Sequence, residues 1–291
     1  MNAPAKFAVV GHAEWAEFVS VEHVPKPGEI VHAEEVARQA AGGGAVAAVQ
    51  IARLNGSCLF LTALGDDEIA DLVAPSLEAR GVEVHAARRA SPQRRAFVHL
   101  DSDGERTITT VGDRQGARGG DDLPWRRFAG LEAVYFTAGD ADALRAARRA
   151  RKLVASVRAR ETLYRAGVRI DVLVSSANDL GEQYSRGDVD PVPDWVVRTD
   201  GALGGSLEAA DGTLTRWRSI PVPGPFGDSY GAGDTFAAGL TYGLGMGYEV
   251  ADAISLGAFC GATAVLGKGP YGSQASAGDL AGWRDLYGIG R

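Results

Sequence analysis

The segment of this sequence best equipped for chemistry is Gly227-Asp228-Ser229-Tyr230-Gly231-Ala232-Gly233-Asp234-Thr235-Phe236. Phe236, Leu240 and Leu244 follow at helical spacing, so the Gly-Ala-Gly step falls at a helix N-terminus. The first amides of a helix lack partners within it, and the helix dipole is positive there. Gly231, Ala232 and Gly233 are therefore a candidate anion hole, with side chains small enough for a phosphate to approach the backbone. Asp234 would lie beside that anion. A carboxylate next to a polyphosphate is electrostatically unfavourable unless it has a task, and accepting the proton of an attacking hydroxyl is such a task. Phosphoryl transfer needs little beyond alignment and charge stabilisation. The plainer reading is that Asp234 caps the helix while the glycines permit tight packing.

The elements that must position this loop are legible as short apolar runs. Residues 7–11 read as a buried parallel strand, and residues 59–64, 82–84, 133–137, 169–175 and 195–199 as further strands. Residues 13–36 alternate weakly around a Pro25-Lys26-Pro27-Gly28 turn and suit an edge or a small separate sheet. Residues 45–54 read as a helix opened by Gly42-Gly43-Gly44 and closed by Asn55-Gly56. A second helix carries Ile69, Leu72, Val73 and Leu77, with Asp66 and Asp67 as N-cap candidates, a kink expected at Pro75 and an end at Gly81. Residues 96–110 read as a hairpin turning at Asp101-Ser102-Asp103-Gly104. Residues 112–126 read as loop, and the Arg-rich stretch 145–160 as a solvated helix face. Strands alternating with helices imply a mostly parallel sheet covered on both faces.

The motif string resembles the DTxGAGD signature of the PfkB, ribokinase-like kinases, with Ser229 in place of Thr. The likeness runs along nearly the whole chain. Pro25-Lys26-Pro27-Gly28-Glu29 is similar to an early turn of that family. Gly42-Gly43-Gly44 is similar to its first glycine signature, Gly65-Asp66-Asp67 to its GDD segment, and Asp103-Gly104-Glu105-Arg106-Thr107-Ile108 to a lid strand. The resemblance implies one kinase domain over residues 1–291. Its architecture would be a three-layer α/β/α sandwich, with a mostly parallel central sheet and a small β-sheet lid built from segments near 13–36 and 94–111. It implies ATP and Mg²⁺ as reactants, Asp234 as the base, and Thr199, Gly201 and Gly204 at the nucleotide. Asp228 becomes a candidate to hold the loop, with K⁺ as in some relatives. Asn178 and Glu182 are the candidates to support magnesium. Pairing of two copies through the lid would cover an exposed sheet edge.

The departures from the family bear on the acceptor. An Asp that binds sugar hydroxyls in sugar kinases is replaced by Ala16, and an Asn of the glycine signature by Val46. Gly42 and Gly43 remain as acceptor-side backbone. Glu14, Glu17, Arg94 and Arg95 are candidates for the lost contacts. Gly181 stands where the family has a metal-supporting Glu, with Glu182 one residue later. Gly261 stands where many relatives carry an Asn beside the adenine, and nothing in 155–160 matches the family's DxNxR segment. Sugars, sugar acids, sugar phosphates and nucleosides all stay open as acceptors. A catalytically silent ligand sensor on the same fold is the alternative raised by the altered contacts, and the intact Asp234 argues against it.

Composition excludes other classes. The net charge of -7 and pI near 5.3 argue against a nucleic-acid partner. No run of about 18 apolar residues suggests a membrane span, and residues 1–6 lack a signal-peptide pattern. A cytoplasmic protein is expected. No GxGxxG follows the first strand, which argues against a dinucleotide enzyme. The two cysteines, Cys58 and Cys260, sit in apolar surroundings and read as core residues.

Overall fold

Phe7–Val10 (β1), wholly buried, lies inside a nine-stranded sheet, as its unbroken apolar run predicts. The computed structural model describes residues 6–102, 105–222 and 224–287. After β1 come β2 (Glu14–Ser20), β3 (Glu35–Ala41), α1 (Gly43–Asn55), β4 (Cys58–Leu64), α2 (Glu68–Glu78), β5 (Val82–Arg88), β6 (Arg95–Leu100) and β7 (Arg106–Val111). The chain continues through β8 (Ala133–Phe136), α3 (Ala141–Ala147), β9 (Lys152–Ser156), α4 (Arg160–Ala166), β10 (Val172–Ser176) and β11 (Trp195–Thr199). It ends with β12 (Gly205–Ala209), β13 (Leu214–Trp217), α5 (Ala232–Gly245), α6 (Val250–Ala264) and α7 (Leu280–Tyr287).

The large sheet has the order β13-β12-β11-β10-β9-β8-β1-β4-β5 and is parallel from β5 through β11. The hairpin β12–β13 closes one edge antiparallel. Alternation along β1 feeds two cores. Phe7 and Val9 pack with α1, α2, α5, α6 and Trp283 on one face. Ala8 and Val10 pack with Phe128, α3 and α4 on the other. The order reverses at β1, which has β4 on one side and β8 on the other. Open α/β sheets bind ligands beyond the carboxyl ends of the strands at such a switch point.

The second sheet, β3-β2-β6-β7, is the lid. Its inward face, Ala16, Phe18, Ala96, Val98 and Leu100, clusters with Ala41, Val46 and Tyr230. The Phe18 and Tyr230 rings meet edge-on at 4.9 Å. The strands of the early segment are β2 and β3. Residues 21–34 between them carry none, and the Glu29 amide donates to the Lys26 carbonyl at the predicted Pro-rich turn.

Several boundaries differ from expectation. The Arg-rich stretch is no single helix: α3 ends at Ala147, and Lys152–Ser156 is β9, inside the large sheet. Its LVAS core is too short to stand out from the arginines around it. The edge hairpin β12–β13 was likewise unread. Asp67 caps α2 through the Ala70 amide at 2.9 Å, and the helix runs on past Pro75, which sits in its last turn. Gly56 closes α1 with φ 86°, as Asn55-Gly56 suggested. Of the expected 101–104 turn, Asp103 and Gly104 lie outside the described residues. Cys58 and Cys260 are buried and free. Among the described residues no helix is long and apolar enough to cross a membrane.

Candidate active site

Helix α5 begins as the motif requires. Gly231 is its N-cap, with φ 74°, and a Cβ there would lie 2.9 Å from Val46 Cγ1, so only glycine fits without strain. A Cβ on Gly233 would meet nothing within 4 Å, so the space beside this residue is open, while the Ala232 amide donates to the Ser229 carbonyl at 3.4 Å. That is the room an anion needs. Asp234 follows in the same turn. The N-cap is a glycine and supplies no side-chain cap of its own.

Asp228 holds the loop in front of the helix. Its side chain is buried; Oδ1 accepts from the Tyr230 amide at 2.8 Å and Oδ2 from the Gly269 amide at 2.5 Å. Both carboxylate oxygens are therefore engaged with backbone, clamping the loop onto the turn after α6. From above, Arg106 of lid strand β7 donates to the Ser229 carbonyl at 2.8 Å and to its hydroxyl. The lid and the loop before α5 are thus in contact.

Gly42 and Gly43 form the opposite wall. A Cβ on Gly43 would lie 2.5 Å from Asp234 Oδ1, and one on Gly42 about 3.2 Å from the His12 ring and 3.3 Å from Glu14 Cγ. The start of α1 therefore brings Asp234, His12 and Glu14 around one turn. Glu14 is buried and paired with Arg94 at 3.1 Å, and it accepts from the Tyr230 hydroxyl at 3.3 Å. Arg94 also donates to the Gly112 carbonyl. Glu14 and Arg94 thus tie lid strands β2 and β6 to the loop before Asp234. Arg95 is placed elsewhere: it points to the outer lid face, its guanidinium 5.7 Å from the Phe97 ring centroid, because adjacent strand residues face opposite ways. Ala16 and Val46, in place of two polar residues of sugar kinases, are buried in the apolar lid cluster.

Four site residues were missed by sequence reasoning: His12, Thr137, Arg114 and Arg158. His12 follows β1 and Thr137 follows β8, at the switch point; Arg114 joins them. Its Nε donates to His12 Nδ1 at 3.1 Å, and its Nη2 to the Thr137 carbonyl and hydroxyl at 3.1 and 3.2 Å. Burial, then the charges of Arg114, Arg94 and Arg158, hold His12 well below the usual histidine range, so it is neutral. Arg158, just after β9, bonds Asp179 at 2.5 Å and also Glu182. Only its position near the unmatched DxNxR segment could have flagged it. Burial, then the nearby Glu182 carboxylate, pushes the Asp234 pKa up to about 6, against the opposing pull of Arg158, Arg114 and Arg106.

On the far side, Thr199 ends β11 with its hydroxyl donating to the Ser175 carbonyl at 3.3 Å. Gly201 and Gly204 adopt φ 52° and 91° in the turn that follows. Asn178 Nδ2 donates to Asp200 Oδ1 at 3.2 Å and flanks Gly201. Glu182 is committed to Arg158 rather than to Asn178. Among the described residues no group of three His, Cys, Asp or Glu side chains could hold a metal.

A profile for the pfkB family carbohydrate kinases matches residues 4–163 and 189–277. Ribokinase of Staphylococcus aureus (strain COL) is 27% identical over 110 residues, 37% of this chain and 36% of that protein. Ribokinase of Arabidopsis thaliana is 36% identical over 108 residues, 36% of this chain and 28% of that protein. The chain thus spans about a third of the length of these curated relatives. In fold it is similar to Arabidopsis thaliana ribokinase complexed with ribose and ATP (TM-score 0.76, 22% identity, 97% and 99% of the two chains covered). It is also similar to the Methanocaldococcus jannaschii nucleoside kinase (TM-score 0.73, 17% identity, 98% and 100% covered).

Proposed function

The chain belongs to the pfkB family of carbohydrate kinases, and on that premise we propose that it transfers the γ-phosphoryl group of MgATP to a hydroxyl of a sugar or sugar derivative. The observation that carries this reading is the position of Asp234, in the first turn of α5, between the Gly231–Gly233 turn and the Gly42–Gly43 wall. The amides take the γ-phosphate oxygens. Asp234 accepts the proton of the acceptor hydroxyl as its oxygen bonds to phosphorus and the bond to the β-phosphate oxygen breaks, releasing ADP. A base with a pKa about 6 is ionised at neutral pH yet basic enough to assist. Arg106, Arg114 and Arg158 add positive charge around it. The lid, closed on Ser229 through Arg106, excludes water that would compete as acceptor.

Thr199, Gly201 and Gly204 border the nucleotide in this reading. Magnesium enters with ATP, held by phosphate oxygens and water. Asp228 acts as a clamp on the loop, since each of its oxygens accepts from a backbone amide. The whole chain works as one kinase domain. We place it in the cytoplasm, where ATP is available and free thiols such as Cys58 and Cys260 persist. Pairing of two copies through the lid is supported by the exposed Val36, Ile108 and Val111 on its strands; sedimentation giving only a monomer would refute it.

The test is ADP release with MgATP across sugars, sugar acids, sugar phosphates and nucleosides. Asp234→Asn should lower turnover by about 10²–10⁴-fold with ATP binding retained. Turnover unchanged in that variant would refute the base assignment. ATP binding without ADP release on any acceptor would favour a sensor.

A further inference from the structure

Arg114 is a mostly buried guanidinium with no carboxylate within ion-pair distance among the described residues. Its hydrogen bonds use Nε and Nη2 on neutral partners, His12 and Thr137, which leaves Nη1 without a partner among the described residues. Such a group is costly to bury and is normally paired. Most other arginines of this cleft are paired: Arg94 with Glu14, and Arg158 with Asp179 and Glu182. Arg106 also lacks a carboxylate, being bound to Ser229.

The surroundings of Arg114 point the same way. Because Arg114 donates to His12 Nδ1, the neutral ring carries its proton on Nε2. That Nε2 lies about 3.2 Å from the Cβ position of Gly42, on the wall it shares with Gly43 and Asp234. The acceptor side therefore offers hydrogen-bond donors. Ala16 and Val46 offer no polar group to a ligand, both being sealed in the apolar lid cluster. A cleft that holds a guanidinium with no carboxylate partner and one nitrogen free among the described residues is matched to a negatively charged ligand group.

We propose that the acceptor carries an anionic group, a carboxylate or a phosphate ester, and that Arg114 binds it with His12 beside it. This rests on the kinase reading above. It narrows the substrate class from sugars in general to sugar acids or sugar phosphates.

The experiment compares matched acceptors: glucose and ribose, the aldonic acid of each, and the terminal phosphate monoester of each. ADP release is followed for the wild type, Arg114→Gln and Arg114→Lys. Binding of the same compounds is measured separately by calorimetry with a non-hydrolysable ATP analogue present. The anionic members should exceed their neutral counterparts in kcat/KM. Arg114→Gln should lower that value for anions by about 10–10²-fold, mainly through KM, and Arg114→Lys should restore part of it by keeping the charge. A preference for the acids identifies a carboxylate; a preference for the monoesters identifies a phosphate. Preference for the neutral sugars, or an anion-to-neutral ratio unchanged in Arg114→Gln, overturns the proposal. If no compound yields ADP but anions bind in an Arg114-dependent way, the kinase reading fails and the anion site stands. If no anion binds in an Arg114-dependent way, the anion site is wrong whatever the turnover.

Discussion

Gly43 and Asp234 are in such close apposition that a Cβ built on Gly43 would lie 2.5 Å from Asp234 Oδ1. The atom that must yield to a larger residue is the tip of the proposed base, not backbone. Gly43→Ala should therefore fold, with Asp234 displaced. A shift on the order of 1 Å can cost about 10²-fold in rate. Turnover should fall by about that factor while the melting temperature changes little. A normal kcat would show that Asp234 need not sit where it does.

Gly231 and Val46 make a second steric pair. Gly231→Ala meets two separate penalties: a left-handed backbone, at φ 74°, and a contact 2.9 Å from Val46 Cγ1. The first costs on the order of 1 kcal/mol, the second about 1–3 kcal/mol. Adding Val46→Ala removes the contact but not the backbone strain. The double variant should thus be more stable than the sum of the singles predicts, by about 1 kcal/mol in a denaturant cycle. Simple additivity would mean that the α5 cap moves freely away from α1.

The buried Glu14–Arg94 pair is expected to matter chiefly for stability. Removing one partner leaves a charge with restricted access to water, at a cost of about 3–5 kcal/mol. Glu14→Ala also strips the Tyr230 hydroxyl of its acceptor. Equilibrium unfolding should show a loss of that order, with partial recovery in Glu14→Ala/Arg94→Met. A loss below ~1 kcal/mol would indicate a solvated surface pair.

Legibility in the sequence followed the range of the interactions. The α5 cap, α1 with its glycine entry and Gly56 exit, and the buried strands β1, β4 and β11 are local patterns. Each could be read from periodicity and capping residues. β9 was hidden because its LVAS core is flanked by Arg148, Arg149, Arg151 and Arg158, and charge dominated the local composition. Arg95 was grouped with Arg94 because adjacency in sequence says nothing about which strand face a residue takes. His12 and Arg114 are 102 positions apart. Only the strand order, with β1 and β8 adjacent, makes them neighbours, and no local signal carries that order.

The charge on Asp234 sets two opposed pH dependences. Its pKa is raised to about 6, first by burial and then by Glu182. A general base works when ionised, so kcat/KM should rise with pH through about 6. Glu182→Gln removes a negative neighbour and frees Arg158, and both changes shift that limb to lower pH. Arg158→Gln removes a cation and shifts it to higher pH. For stability the sign reverses. A carboxyl whose folded pKa lies above its unfolded value binds protons more readily when folded, so it lowers stability as pH rises from its unfolded value through about 6. Discounted for its partial exposure, the penalty at neutral pH is on the order of 1 kcal/mol. Asp234→Asn should then melt about 2 °C higher than the wild type at pH above 7, and the difference should vanish once Asp234 is protonated in both states. Equal melting temperatures across that range would mean the carboxylate carries no desolvation cost, and the acid limb of the rate would then belong to another group.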